Sequence, residues 1–273
     1  MEDNLQIRND EFVLFQKLIY DLCGIYLSDN KKALLTSRLG KRLKELGCST
    51  FRQYREYVLT DKSGQELTQM LDAISTNKTE FLREKYHFEF LERHLFPDLL
   101  TRHRVRFWCA GCSSGEEPYT LAISILEHIE HSLGKDIKIL ATDISTTVLK
   151  KAQEGVYQER DLAPFPVNIR RKYFLKGETQ WEGYYMVKES LREIVYFRYL
   201  NLMTPFPFQT LFDVIFCRNV LIYFDKPTQA NLIEKFFRVL SPGGYLFIGH
   251  SESLSGIQSG LTYVEPAIYK KLK

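Results

Sequence analysis

No apolar run in the 273-residue chain approaches the roughly 20 residues that a membrane-spanning helix requires, so no membrane insertion is expected. The opening "MEDNLQIRND" has neither the basic start nor the apolar centre of a secretory signal, and the expected location is cytoplasmic. Cysteine is scarce: five residues, an odd number scattered along the chain, make no disulfide framework. A dominant charge is missing as well. The formal net charge of +3 is too small to point to nucleic acid, and none is expected as a partner. Internal repeats and low-complexity segments are absent. What remains is a globular composition, 44% hydrophobic and 26% charged, at a length that suits one large or two smaller domains.

Residues 104–123, "RVRFWCAGCSSGEEPYTLAI", overlay two patterns. Cys109 and Cys112 form a C-x-x-C, the spacing of a redox dithiol or half a zinc site. A zinc site would need two further ligands, and the histidines on offer, His128 and His131, fall on the next helix pattern. The simpler account makes Cys109 the end of a strand, Cys112 a small turn residue, and the histidines part of a solvated helix face. No metal is expected. The second pattern is a small-residue turn containing Gly111 and Gly115, set between an apolar run and a helix start.

The first 90 residues have helical periodicity. Phe12, Phe15, Leu18, Ile19 and Leu22 mark one helix closed at Cys23-Gly24, and Leu34 to Leu46 mark a second, ended by Gly47. Ser49 or Thr50 can cap a third over "FRQYREYVLT", and a fourth follows over "GQELTQMLDAIS". This predicts an all-α N-terminal domain over 1–88, with a linker at 89–104. From Val105 short apolar runs alternate with amphipathic helices, the mark of a mostly parallel sheet covered on both faces. Residues 157–193 break that alternation and are too long for a simple connection; Gly177, Gly183 and "YYMVK" predict a small antiparallel insertion.

In open α/β folds the ligand lies beyond the carboxyl ends of the strands. Gly111 and Gly115 would let backbone approach it closely. Glu116 and Glu117 start the helix, and a pyrophosphate there would meet two carboxylates. The full G-x-G-x-x-G fingerprint is also missing. S-adenosylmethionine fits better, because it has no phosphate and carries an ammonium and a sulfonium. Asp143, ending the second strand, is the expected acceptor for ribose hydroxyls. Asn201, after the third, offers an amide to an adenine edge.

The segments "STNKTEFLRE", "CAGCSSGEEPYTLAI", "ATDIS", "FDVIFCRNVLIYFDK" and "LSPGGYLFIGHSESL" resemble the signature segments of the chemotaxis-receptor glutamate methyltransferases, the CheR family. The resemblance runs from about residue 10 to the end. It implies an α/β fold, a class I S-adenosylmethionine-dependent methyltransferase domain of Rossmann-like form over 105–273, with the antiparallel insertion and the all-α domain before it. It implies cofactor contacts at Asn77, Thr79, Arg83, Glu117 and Asp143, at Asn201 and Leu202 beside the adenine, and at Arg218 and Asn219. Tyr223 and Arg83 would stand near the transferred methyl. The structural alternatives are that Asn77 and Thr79 cap a helix and that Arg218 pairs with a nearby acid.

The implied reaction is methyl transfer to receptor glutamates, giving methyl esters and S-adenosylhomocysteine, in chemotactic adaptation. A glutamate with an ordinary pKa near 4.3 arrives ionised, so no general base is required; His250, at a strand end, is expected to be structural. Residues 31–44, "KKALLTSRLGKRLK", carry six basic side chains and no acid. Lys31, Arg38, Lys41 and Arg42 can share one helix face, and the resemblance implies that this face meets the cytoplasmic helical region of a receptor. The insertion keeps the length of members that dock a receptor tail peptide but lacks a second glycine early in its loop. Two alternatives share these features: a non-catalytic S-adenosylmethionine-binding sensor or scaffold that docks receptors, and a nucleic-acid methyltransferase. The "PP" element typical of amino-methylating enzymes is missing from "FCRNVLIYF", which counts against the latter.

Overall fold

The structure, a computed structural model, describes residues 6–128 and 135–272. Four helices open it: α1 (Asn9–Cys23), α2 (Lys32–Glu45), α3 (Phe51–Thr60) and α4 (Gln65–Ile74). Each owes its place to one apolar stripe. Phe12, Phe15 and Ile19 from α1 meet Leu35, Leu39 and Leu43 from α2, with Tyr54 and Met70 from α3 and α4. Fully burying side chains of this size contributes about 1.5–3 kcal/mol each. Gly24 takes the left-handed φ of 72° that ends α1. Thr50, one of the two expected caps, accepts from Gln53 N at the start of α3.

Helical structure then stops. Residues 75–80 are irregular, and Leu82 and Glu84 hold positive φ of 55° and 52°. This segment, rather than 89–104, is the passage between the two cores. The expected linker is corrected accordingly: α5 (Tyr86–Phe90), a π turn at Leu91–Leu95 and α6 (Phe96–Leu99) bury Phe88, Phe90, Leu91, Leu95 and Leu99 against the sheet. An apolar residue at nearly every helical turn makes 89–100 core, despite Pro97 and the basic run that follows it.

The main sheet has seven strands in the order β6-β2-β1-β7-β8-β10-β9. These are β1 (Arg104–Ala110), β2 (Asp136–Asp143), β6 (Val195–Tyr199), β7 (Phe212–Cys217), β8 (Leu240–Ile248), β9 (Thr262–Glu265) and β10 (Ile268–Lys270). The first five are parallel; β10 and β9 close one edge antiparallel. Both faces are buried, as a parallel sheet demands. Phe107, Cys109, Val214 and Phe216 face α7 (Glu116–His128), while Trp108, Ala110, Ile215 and Cys217 face α11 (Lys226–Val239). Between β2 and β6 lie α8 (Thr146–Glu154) and the insertion, where β3 (Val156–Gln158), β5 (Tyr184–Val187) and β4 (Phe174–Lys176) pair antiparallel in that order, with α9 (Val167–Tyr173) and α10 (Glu189–Arg192) flanking them. The sheet order reverses between β1 and β7, which opens a crevice at their carboxyl ends.

The helical part is fastened along that crevice. Tyr26 N donates to Tyr223 O at 2.8 Å, and Ile25 bridges Phe224. Tyr20 Oη bonds Asp225 Oδ2 at 3.1 Å, and Asp72 accepts from Thr146 and Thr147 at the start of α8.

Candidate functional site

A cavity of about 550 Å³ lies where β1, β2 and β7 end and α1, α2 and α4 approach. That size sits within the roughly 300–1,000 Å³ usual for small-molecule sites. Every residue expected from the resemblance to contact the cofactor lines it, and so does Gly111, whereas Gly115 lies behind the turn and does not. Asn77, Thr79 and Arg83 come from the passage after α4, Gly111 and Glu117 from the turn after β1, and Asp143 from the end of β2. Asn201 and Leu202 follow β6, and Arg218, Asn219 and Tyr223 follow β7.

Asp143 organises the floor. Its Oδ2 accepts from Ser113 N at 2.9 Å and its Oδ1 from Ser145 N at 2.9 Å, so it ties the β1 turn to the end of β2. Each carboxylate oxygen keeps a second lone pair for an incoming hydroxyl. Burial raises its carboxyl above the ordinary value, against the pull of those N–H groups. Gly111 and Gly115 have φ of 88° and 98°, and a Cβ on Gly111 would come within 2.5 Å of Val220. The turn therefore needs glycine by conformation and by space. Ser113 Oγ reaches across to Asn77 O at 2.8 Å, which docks the passage on the turn.

Arg218 is the charged centre. Its guanidinium is 1% exposed and pairs with Glu117 Oε2 at 3.0 Å and Glu84 Oε2 at 3.1 Å. It also lies 5.5 Å from the Phe88 ring centroid. The bland expectation, that Arg218 pairs with nearby acids, describes its contacts, and it lines the cavity as well. Burial alone would raise the Glu84 carboxyl, but the Arg218 charge and the bonds from His250, Arg218 and Asn219 hold it below its ordinary value. Glu117 goes the other way, raised by burial despite Arg218. Around Arg218 two carboxylates face one guanidinium, and elsewhere the cavity wall carries Asp143 together with Lys31, Lys78, Arg38 and Arg83, so both signs of charge are offered to a ligand.

Two sequence expectations change here. The Asn201 amide is already committed: Nδ2 donates to Leu22 O at 2.6 Å and Oδ1 accepts from Met203 N at 2.9 Å. Its side chain joins α1 to the loop after β6, because the first helix ends directly above that loop. The supposed basic face is also divided. Arg42 forks onto the buried Glu66, with Nε to Oε1 at 3.0 Å and Nη2 to Oε2 at 2.5 Å, and Tyr54 Oη donates to the same Oε1. Arg38 turns toward α4, bonding Ile74 O, Ser75 O and Thr76 Oγ1, and it lines the cavity. Of the four cations grouped on that face, Lys31 and Lys41 are exposed, Lys31 at the rim of the cavity; Lys44, near the end of the helix, is exposed as well.

Tyr223 closes a short turn at Leu221–Tyr223, and its hydroxyl lies 3.4 Å from Thr76 O. Arg83 donates to Lys78 O at 2.8 Å. Sequence reasoning missed Glu84, which holds Arg218, and Thr76, which meets the Tyr223 hydroxyl. A signal existed for Glu84, which directly follows the chosen Arg83; none existed for Thr76 as a carbonyl acceptor.

The C-x-x-C is part of the core. Burial first, then neighbouring carboxylates, push both thiols far above their ordinary range, which suppresses thiolate chemistry. His128 bonds Ser124 O at 2.8 Å on an exposed stretch of helix; His131 lies outside the described residues. Glu84, His87 and His250 bring one potential ligand atom each within 4.8 Å of one another, the sole such cluster among the described residues. The Glu84 oxygen facing His87 already accepts Arg218 Nε at 3.3 Å and Nη2 at 3.1 Å. A divalent cation would sit against a buried guanidinium, so the cluster fits a counter-charge network better than a metal centre. His250, expected to be structural, packs its ring on His87 with centroids 4.9 Å apart.

Among the described residues no helix is long and apolar enough to cross a membrane. Residues 77–269 match the family model described as CheR methyltransferase, SAM binding domain, and residues 10–75 match CheR methyltransferase, all-alpha domain. The chain is similar to the chemotaxis protein methyltransferase of Borreliella burgdorferi, 44% identical over 98% of this chain and 96% of that one. It is 42% identical to a probable chemotaxis protein methyltransferase of Rhizobium etli, over 88% of this chain and 91% of that one. For the Salmonella typhimurium chemotaxis protein methyltransferase the identity is 36%, over 94% and 88%.

Proposed function

The chain belongs to the CheR methyltransferase family, and from that premise we propose that it transfers the methyl of S-adenosylmethionine to glutamate side chains in the cytoplasmic helical region of chemoreceptors. The observation that carries the proposal is the one cavity on whose wall the residues expected to contact the cofactor converge, with the Glu117 carboxylate and the Arg83 guanidinium both among them.

When bound, the cofactor supplies a methyl activated by a sulfonium. The protein's part is to place and enclose. Asp143 accepts from the ribose hydroxyls while holding the β1 turn, and Glu117, on the cavity wall, complements the ammonium. Arg83 binds the carboxylate of the amino-acid moiety. Asn201 and Leu202 border the adenine through backbone and apolar surface, since the Asn201 amide is engaged elsewhere. The receptor glutamate arrives ionised and needs no base. Anion and sulfonium become neutral products, so alignment in a partly dry pocket supplies most of the rate. Tyr223 orients the attacking carboxylate, and Arg83 stays with the cofactor, because tight pairing with the attacking oxygen would stabilise the ground state.

The helical domain guides the receptor helix across the mouth. Lys31, Lys41 and Lys44 are the exposed cations of α2 and its approach, and they complement an acidic helix. This assignment places the enzyme in the cytoplasm. The test is incubation with labelled cofactor and membranes that contain or lack chemoreceptors. Label should enter receptor bands only; saturable cofactor binding with no transfer would instead support a sensor or scaffold.

A further inference from the structure

Glu252 stands outside every position assigned above, yet its carboxylate binds the turn that carries Tyr223. It is 9% exposed. Its Oε2 accepts from Asn219 N at 3.0 Å and from Gly249 N, and its Oε1 accepts from Ile222 N at 3.1 Å. Two of those three donors belong to the Asn219–Ile222 turn, immediately before Tyr223. Asn219 adopts a left-handed φ of 59°, which costs free energy for any residue but glycine and persists only when its surroundings hold it.

The two loops are in direct contact. A Cβ on Gly249 would lie 2.5 Å from Asn219 Nδ2 and 2.9 Å from Glu252 Oε2. The Tyr223 ring has little holding of its own, a single 3.4 Å bond to Thr76 O. Its placement therefore follows from its backbone, which is held by the turn beneath it on one side and by Tyr26 N on the other. A carboxylate suits this work because it only accepts, and two oxygens can serve three converging N–H groups. A glutamine would aim an NH₂ at one of those donors.

We propose that Glu252 is a positioning residue for methyl transfer, stapling the Asn219–Ile222 turn so that the Tyr223 phenol faces the cavity. The proposal rests on the Tyr223 role given above. The experiment is a double-mutant cycle of Glu252→Gln and Tyr223→Phe, with receptor methylation measured at saturating cofactor and product affinity measured by calorimetry. Glu252→Gln should lower kcat by about tenfold with less than about threefold change in cofactor affinity, the split expected when only the reacting geometry is lost. In the Tyr223→Phe background the same change should cost less than about threefold, because coupled residues are non-additive. Glu252→Asp, which keeps an acceptor-only group, should fall between wild type and Glu252→Gln, and it repeats the cycle if the glutamine variant does not fold. A full tenfold loss in both backgrounds makes Glu252 merely structural and overturns the proposal, as does unchanged turnover in Glu252→Gln. If Tyr223→Phe alone leaves turnover intact, the Tyr223 role has failed and the Glu252 proposal falls with it, a result distinct from additivity.

Discussion

The turn after β1 and the helix α2 are both short, chemically loud stretches, and they behave differently once folded. At the turn, glycines and backbone N–H groups do the work, and their positions follow from a strand running into a helix. On α2 the loud feature is charge, and each arginine finds a partner far along the chain: Arg42 with Glu66, Arg38 with the carbonyls that end α4. A backbone cradle is a local property. The fate of a charged side chain is a property of the tertiary structure.

The largest effect should come from Arg218→Ala, which leaves the Glu84 and Glu117 carboxylates buried without their shared cation. Losing one partner of a buried pair costs about 3–5 kcal/mol, and urea unfolding should show a loss of that order. A loss below about 1 kcal/mol would place Arg218 with ordinary surface ion pairs. Next comes Asp143. Asp143→Ala should weaken cofactor binding by at least about 1–3 kcal/mol and also loosen the turn, because its oxygens hold Ser113 and Ser145. Calorimetry with S-adenosylhomocysteine checks the affinity, and hydrogen exchange at 111–115 checks the turn.

Acid should reveal His87, which is fully buried with neither ring nitrogen hydrogen-bonded. Burial, then the Arg218 charge, pushes its pKa from 6.5 down to about 3. Between those values the unfolded chain binds the proton and the folded chain does not. Stability is therefore full above about pH 6.5 and falls as the pH drops through it, by about 2 kcal/mol at pH 5 from this group. His87→Leu should flatten that part of the pH–stability curve. A slope equal to wild type would assign the acid sensitivity to other residues.

Within α2 the comparison sharpens further. Arg38→Ala should reduce cofactor affinity, since Arg38 holds Ser75 and Thr76 at the start of the passage that carries Asn77. Lys41→Glu with Lys44→Glu, both exposed and off the cavity wall, should leave that affinity alone, lower receptor methylation several-fold at low salt, and lose effect as salt screens the charges. Equal behaviour of the two variants in both assays would erase the division. The smallest effect is expected from Cys109→Ala with Cys112→Ala, where turnover should stay near wild type at some cost in stability from the small cavities left.

These contrasts explain what could be read from the residues. The order of strands and helices, the antiparallel insertion, the glycine turn and the strand-end Asp143 follow from periodicity and turn chemistry, which act over a few residues. In 89–104 Pro97 and a basic run carry the local marks of a linker, while the apolar positions around them pack on the sheet. Arg38 and Arg42 were grouped by helical spacing, which says which residues share a face but not whether that face meets solvent. Glu84 pairs with Arg218 across 134 residues and Glu252 reaches Asn219 across 33, separations that no local pattern reports.

The central claim is that the cavity delivers a methyl to a carboxylate, and the chemical nature of the product tests it most directly. Receptors labelled with methyl from the cofactor should be treated with mild alkali and the volatile label collected. A carboxyl methyl ester predicts rapid, near-complete release of labelled methanol, with the remaining methyl groups mapped to glutamates when hydrolysis is omitted. Label that survives alkali, or that maps to nitrogen-bearing side chains or nucleic acid, would contradict the account.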